Sequence, residues 1–364
     1  MKRVLHYAPG FLVGGIESRL LDWYRNMDRS QIQFVLVKLN EIDDTENMKE
    51  YKELGGIYYN LPSFNIKSAI YFCRKIRDIL INEKIDIVHV HDVNSGFFVL
   101  REAKKLGIKC RILHSRTTNF LPNEKNVFVK KILKKFTPRY ANFFWACSKE
   151  AGEWGCGKKK KAEVINNGIQ VENFKFDQTI RTNIRKELKI DDKIVIGYIG
   201  RLSTQKNIPY LLEIFRRILD KDSRYALLVV GDGDRTIIDD FFVNTEKLNS
   251  IILVGNKKDT WNYYMAMDIF CCPSLYEGFG TTAIEAQASG LPTIISKAFP
   301  QVVEITDFIL RLDIGQNDID KWVDIILSNK LERFSDIGIE KVIKSGYSAK
   351  DVSKYIYDFY LRNG

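Results

Sequence analysis

Tyr276-Glu277-Gly278-Phe279-Gly280-Thr281-Thr282-Ala283-Ile284-Glu285 follows closely on the apolar run Asp268-Ile269-Phe270-Cys271-Cys272, and the two together decide how the chain is read. The run reads as a strand ending at Pro273, and Thr281 to Ser289 as a helix stopped by Gly290 and Pro292. Between them lies a turn bracketed by two glycines. Helix N-termini present unsatisfied N–H groups and the positive end of the helix dipole, so the amides around Gly280 to Thr282 suit a diphosphate. Glu277 in the turn and Glu285 one to two turns into the helix are then placed to accept hydrogen bonds from hydroxyl groups on opposite sides of that anion. The plainer reading is a strand, a loop and an exposed helical glutamate.

The same strand-then-helix alternation runs through the rest of the chain in two series, the signature of parallel α/β folding. The first series has strands at Arg3 to Tyr7, Gln33 to Leu39, Ile57 to Asn60, Ile87 to His91, Cys110 to His114 and Phe143 to Cys147. Helices such as Ser18 to Asn26 and Lys67 to Glu83 separate them. The second has strands at Ile194 to Ile199, Tyr225 to Val230, Ile251 to Val254, Ile269 to Cys272 and Thr293 to Ile295. A chain of 364 residues holds two domains of ordinary size. No apolar run approaches the roughly 18 residues that span a bilayer. The start, Met1-Lys2-Arg3-Val4-Leu5-His6, enters a strand pattern directly, without the apolar core of a secretion signal, which predicts a cytoplasmic protein. The six cysteines show no CxxC pair and no metal-ligand spacing, so reduced thiols and no structural zinc are expected.

The net charge of +10 is concentrated. Arg101 to Lys161 carries 17 Lys and Arg against 4 Asp and Glu, leaving the remainder slightly acidic. Within it, Glu124 to Phe136 sets Phe128, Val129, Ile132, Leu133 and Phe136 along one helical face and Lys130, Lys131, Lys134 and Lys135 on the other. A basic amphipathic helix of this kind is attracted to an anionic membrane surface. The alternative is a surface helix whose apolar side meets the core.

Ligands bind beyond the carboxyl ends of parallel strands, so the residues there carry the chemistry. Gly200-Arg201-Leu202-Ser203-Thr204-Gln205-Lys206-Asn207 puts Arg201 and Lys206 within reach of a common anion, the first as a planar fork and the second as a point charge. Gly231-Asp232-Gly233-Asp234 offers close backbone approach at Gly233, or only a tight turn. Gly14-Gly15-Ile16-Glu17 repeats the glycine-then-helix layout near the start. His89 and His91 share one face of their strand, and His91, at its end, is the candidate to meet a sugar.

Taken in order, GGIE, GRLSTQKN, GDGD and EGFGTTAIE, with the tail EAQASGLPTI and Ala146-Cys147-Ser148-Lys149-Glu150, resemble the retaining glycosyltransferases of family 4, notably bacterial enzymes of capsule and exopolysaccharide assembly. The resemblance covers nearly the whole chain. It implies the GT-B fold: α/β, with two Rossmann-like parallel-sheet domains facing a central cleft. The expected division is residues 1–175 for the acceptor and 176–348 for the nucleotide sugar, with the last helix, residues 349–364, crossing back to the first domain.

Residue by residue, the resemblance places Glu285 on the ribose, Glu277 on the transferred hexose, and Arg201 and Lys206 on the diphosphate. Amides of Gly278, Phe279, Gly280 and Thr281 surround sugar and phosphates, Gly15 approaches the diphosphate or the acceptor, and His91 the sugar ring. Arg116 in Ile112-Leu113-His114-Ser115-Arg116 stands where related enzymes often read His. The implied donor is a nucleotide sugar, with UDP foremost. The implied acceptor is a glycan or a lipid-linked oligosaccharide, the latter at the inner membrane face where the basic helix fits, with no metal, no other cofactor and no nucleic acid. No covalent nucleophile is singled out, which predicts a front-face substitution. Rival readings are a nucleotide-sugar epimerase of similar fold, a hydride-transfer enzyme, for which no G-x-G-x-x-G follows the first strand, and a nucleic-acid-binding protein, which leaves the paired glutamates unexplained.

Overall fold

The computed structural model describes residues 1–9, 15–39, 45–62, 68–120, 126–242, 246–328 and 332–364. The chain divides into two compact units, Met1–Gly168 with Ala349–Gly364, and Ile169–Ser348. The division comes earlier than residue 175, because Val171 and Phe174 are buried in the second unit's core. The closing helix, Ala349–Asn363, packs on the first unit, where Ile356 and Tyr360 are fully buried among Val4, Phe34 and Trp145.

In the first unit the described residues form a seven-stranded sheet of β1 (Lys2–Tyr7), β2 (Ile32–Leu39), β3 (Ile57–Leu61), β4 (Ile87–Val90), β5 (Cys110–Ser115), β6 (Phe143–Ala146) and β7 (Glu163–Val164). Their order is β3-β2-β1-β4-β5-β6-β7, and every neighbour is parallel. Alternate residues feed two cores. Val4, Phe34, Ile87 and Trp145 face one layer, and Leu5, Val35, Val88 and Leu113 the other. Burial on both faces is why these strands read as nearly unbroken apolar runs.

The second unit has six strands in the order β10-β9-β8-β11-β12-β13. They are β8 (Ile194–Ile199), β9 (Tyr225–Val230), β10 (Ile251–Leu253), β11 (Ile269–Cys272), β12 (Thr293–Ser296) and β13 (Ile309–Leu312). The chain winds outward from β8 through β9 to β10, then returns to the other side of β8 for β11. The loops after β8 and β11 therefore diverge at the point where the winding reverses, the place where open parallel sheets hold ligands. Two edge strands, β7 and β13, are additions to the sequence expectation.

Candidate active site

Backbone hydrogen bonds first bring the two loops at this reversal together. The Leu275 N–H donates to the Gln205 carbonyl at 2.8 Å, and the Gln205 side-chain amide returns a bond to the Tyr276 carbonyl at 3.0 Å. With the loops zipped, Lys206 Nζ meets Glu277 Oε1 at 2.5 Å. Both side chains are largely buried, 15% and 7% exposed. The Ser274 hydroxyl donates to the same Glu277 oxygen at 2.7 Å, and Ser296 Oγ fixes the Ser274 carbonyl at 2.6 Å. Burial by itself would lower the Lys206 pKa; the Cys272 thiol and the Glu277 carboxylate outweigh it and hold the ammonium above the ordinary lysine value. Burial pushes the Cys272 thiol up to about 11, so it carries no charge at neutral pH. Lys206 is thus a fixed cation with N–H donors to spare.

Arg201 stands on the same loop, exposed, and its charge reaches Lys206. Among the described residues none forms an ion pair or hydrogen bond with its guanidinium. The loop under it is held from below, where Tyr198 Oη donates to the Arg201 carbonyl at 3.0 Å.

The helix Thr281–Ala288 begins at Gly280, which adopts φ 89° and ψ 44°, and no side chain caps it. A Cβ at Gly280 would lie 2.4 Å from the Phe299 ring, so fold and left-handed backbone both demand glycine here. Gly278 differs. A Cβ there meets nothing within 4 Å, so the free fold does not require this glycine. Phe279 is buried and turned to Tyr347, leaving backbone rather than ring at the turn. Deeper in the helix, Tyr264 Oη donates to Glu285 Oε2 at 3.0 Å and to the Thr282 carbonyl at 3.2 Å, which orients Glu285. Gly233 has φ 145°, and a Cβ on it would strike the Leu202 carbonyl at 2.3 Å. Its close backbone neighbour is the Leu202 segment, with which it forms a parallel bridge.

Arg201, Lys206, Glu277, Gly278, Phe279, Gly280, Thr281 and Glu285 therefore lie on the two strand-end loops and the helix that follows. Gln205, Ser274, Ser296 and Tyr264, which position them, escape sequence reading because serine, glutamine and tyrosine are common and, Ser274 with Glu277 apart, their partners lie far away in sequence. Asp232 and Asp234 are exposed and bond locally, to the Gly233 N–H and to Thr236.

Gly15 and His91 belong to the first unit. Gly15 opens the helix Gly15–Arg25, while Gly10 and Gly14 lie outside the described residues. His91 is 4% exposed, and its Nε2 shares a hydrogen bond with His6 Nδ1 at 3.1 Å, leaving Nδ1 without a partner among the described residues. It is one of four. His6, His89, His91 and His114, every histidine in the chain, form a grid on one face of β1, β4 and β5 because parallel register sets His6 beside His89. His89 bonds His114 Nδ1 at 3.0 Å and Tyr360 Oη at 2.6 Å. Burial, and then the charge of Arg116, pulls His6 down to about 3. Burial first likewise holds His89, His91 and His114 well below the ordinary range, so all four are neutral at pH 7.

The helix Val127–Phe136 buries none of its side chains, and Phe128 and Ile132 are 76% and 42% exposed. Lys134 departs from the solvent-facing expectation. Its ammonium donates to the Trp154 carbonyl at 2.9 Å and lies 4.2 Å over that ring, while Lys131 and Lys135 are exposed. Glu124 and Lys125 lie outside the described residues. No helix among the described residues is long and apolar enough to cross a membrane.

Two parallel-sheet units and a cation–carboxylate pair at one winding reversal fit the GT-B class of glycosyltransferases, and comparison with known proteins agrees. Residues 13–173 match the family model described as Glycosyltransferase Family 4, and residues 180–333 the model described as Glycosyl transferases group 1. EpsF of Bacillus subtilis (strain 168), named as a glycosyltransferase, is 29% identical over 336 residues, spanning 89% of this chain and 87% of EpsF. The UDP-Gal:alpha-D-GlcNAc-diphosphoundecaprenol alpha-1,3-galactosyltransferase of Escherichia coli is 28% identical over 297 residues, 76% of this chain and 73% of its own. The crystal structure of Anabaena HepE in complex with UDP shares the fold at a TM-score of 0.79, with 16% identity and full coverage of both chains. The chain belongs to the GT-B glycosyltransferases of family 4.

Proposed function

We propose that the chain is a retaining, metal-independent transferase. It moves a hexose or N-acetylhexosamine from a nucleoside diphosphate sugar, UDP foremost, to a hydroxyl of a lipid-linked glycan in capsule or exopolysaccharide assembly. The Lys206–Glu277 pair carries this reading, because a buried, permanently charged lysine beside an uncapped helix start and an unpaired Arg201 suits a departing diphosphate. The relatives' names support the donor and acceptor classes, since one acts from UDP-Gal onto a diphosphoundecaprenol-linked sugar and a structural neighbour was solved with UDP.

In the reaction the sugar C1–O bond to the diphosphate breaks, and the acceptor hydroxyl forms the new C1–O bond on the same face. A diphosphate oxygen takes the hydroxyl proton. Arg201, Lys206 and the amides of Gly278 to Thr281 stabilise the charge that develops on the leaving group, as preorganised donors do. Glu277 accepts from the sugar hydroxyls while keeping Lys206 in place. Glu285, held by Tyr264, accepts from the ribose.

The test is a transfer assay with UDP-glucose, UDP-galactose, UDP-N-acetylglucosamine and GDP-mannose, on polyprenyl diphosphate-linked sugars, in excess EDTA. An anomerically retained product is expected, read by NMR. An inverted product, or activity abolished by EDTA and restored by Mg²⁺, overturns the reading.

The same reading places the protein peripherally on the inner membrane face through the helix Val127–Phe136, with exposed Phe128 and Ile132 entering the surface and Lys131 and Lys135 meeting anionic headgroups. Each basic residue near such a surface contributes about 1 kcal/mol. Replacing Phe128 by Ser together with Lys131 and Lys135 by Glu should therefore weaken co-sedimentation with phosphatidylglycerol vesicles by more than about tenfold. Equal binding of variant and parent would remove this helix from the membrane contact.

A further inference from the structure

Arg116 is a half-buried cation with no acid paired to it among the described residues. It follows β5 directly, lies 5.0 Å over the Trp23 ring, and donates through Nη1 to the neutral Asn167 Oδ1 at 2.8 Å. Among the described residues its Nε and Nη2 are buried with no hydrogen-bond partner. The side chains whose charge bears on it are Cys147, Arg19 and Tyr360, and no carboxylate is among them. Arg19 stands one turn before Trp23 on the helix Gly15–Arg25, on the same side of it. It pairs with Asp22 at 3.3 Å through Nη2, while its Nη1 is also buried and has no partner among the described residues.

Two guanidiniums near enough for one to feel the other's charge, with three idle N–H-bearing atoms among the described residues, are a costly arrangement for the free protein. Buried charges are normally paired, and an unmade bond from a charged group forfeits its lost hydration. Such a cost is recovered when an oxyanion arrives, and the arginine fork suits the oxygens of phosphate.

We propose that Arg116 and Arg19 form a phosphoryl-binding site in the first unit, which takes the phosphate or diphosphate of the acceptor. The assignment to the acceptor rests on the transferase reading above; the anion site itself does not.

A metal is the competing use of this neighbourhood, since His6, His89 and His91 offer ring nitrogens within 4.8 Å of one another. Imidazoles are good zinc ligands. Here, however, they are turned to one another and to His114 in hydrogen bonds, and the adjacent Arg116 repels a dication while attracting an anion.

The experiment compares the full chain with its Arg116→Gln variant, both under saturating UDP so that the diphosphate site of the second unit is filled. Inorganic pyrophosphate should raise the melting temperature of the parent and not of the variant. Without pyrophosphate the variant should melt at or above the parent, because an uncompensated charge has gone. This arm needs no transfer activity, so it reports on the anion site even if the transferase reading fails. In the kinetic arm, KM for a polyprenyl diphosphate-linked sugar should rise about 10- to 100-fold in the variant, the worth of a lost charge-assisted bond. KM for the alkyl glycoside of the same sugar, and for the donor, should not move. No melting response of the parent to pyrophosphate, or stabilisation by Zn²⁺ instead, overturns the site. A pyrophosphate response with equal effects on both acceptors overturns its assignment to the acceptor.

Discussion

Arg201→Ala is expected to lower kcat by a factor of about 100 to 1,000, the usual loss when one preorganised donor to a developing oxyanion is removed. The melting temperature should barely change, because substitutions at exposed side chains without partners fall within about ±0.5 kcal/mol. Arg201 is such a side chain, exposed and free of any ion pair among the described residues. This combination, a large effect on turnover and almost none on stability, is what separates a leaving-group contact from a structural charge. Steady-state kinetics with the preferred nucleotide sugar and a thermal melt of the same preparation check it. Turnover near that of the parent would detach Arg201 from the diphosphate.

Lys206→Ala is expected to damage both. Turnover should fall by a factor of about 100 or more, for the same reason as with Arg201. Stability should also fall, because the change leaves Glu277 buried and charged without its cation, and breaking a buried pair from one side costs about 3–5 kcal/mol. For a unit of this size that is a drop on the order of 10 °C. The double variant Lys206→Ala/Glu277→Ala removes the stranded charge and should recover most of the lost stability and none of the turnover. Recovery of turnover in the double variant would mean that the pair serves the fold alone. Failure to recover stability would mean that Lys206 acts through packing of its alkyl chain rather than through its charge.

Much of the site was legible because parallel strands buried on both faces leave continuous apolar runs whose ends are easy to mark, and ligand chemistry gathers at those ends. Arg201, Lys206, Glu277 and Glu285 were singled out in this way, and the fold brings Lys206 and Glu277 into contact. The two missed strands fail the same criterion. β7 is Glu163–Val164 with both side chains exposed, and β13 holds Arg311 within an edge strand whose Leu310 faces solvent. The inward turn of Lys134 was equally hidden, since a lysine on a basic helix gives no local sign that a tryptophan twenty residues on will take its ammonium. Glycines were legible as a group but not one by one. Gly280 and Gly233 answer to close neighbours in the free fold and Gly278 does not, which only the surrounding atoms reveal.

By itself the sequence determined the two-fold run of strands and helices, the family, and the loops that carry cations and carboxylates, because period, turn residues and short motifs are local properties. Tertiary structure alone decided the pairing of Lys206 with Glu277, its support by Ser274 and Gln205, the gathering of four histidines, and the lack of an acid beside Arg116 among the described residues. These depend on strand order and register, which bring distant residues to one place. Whether a charge ends up paired, stranded or solvated there is settled by neighbours that lie nowhere near it along the chain.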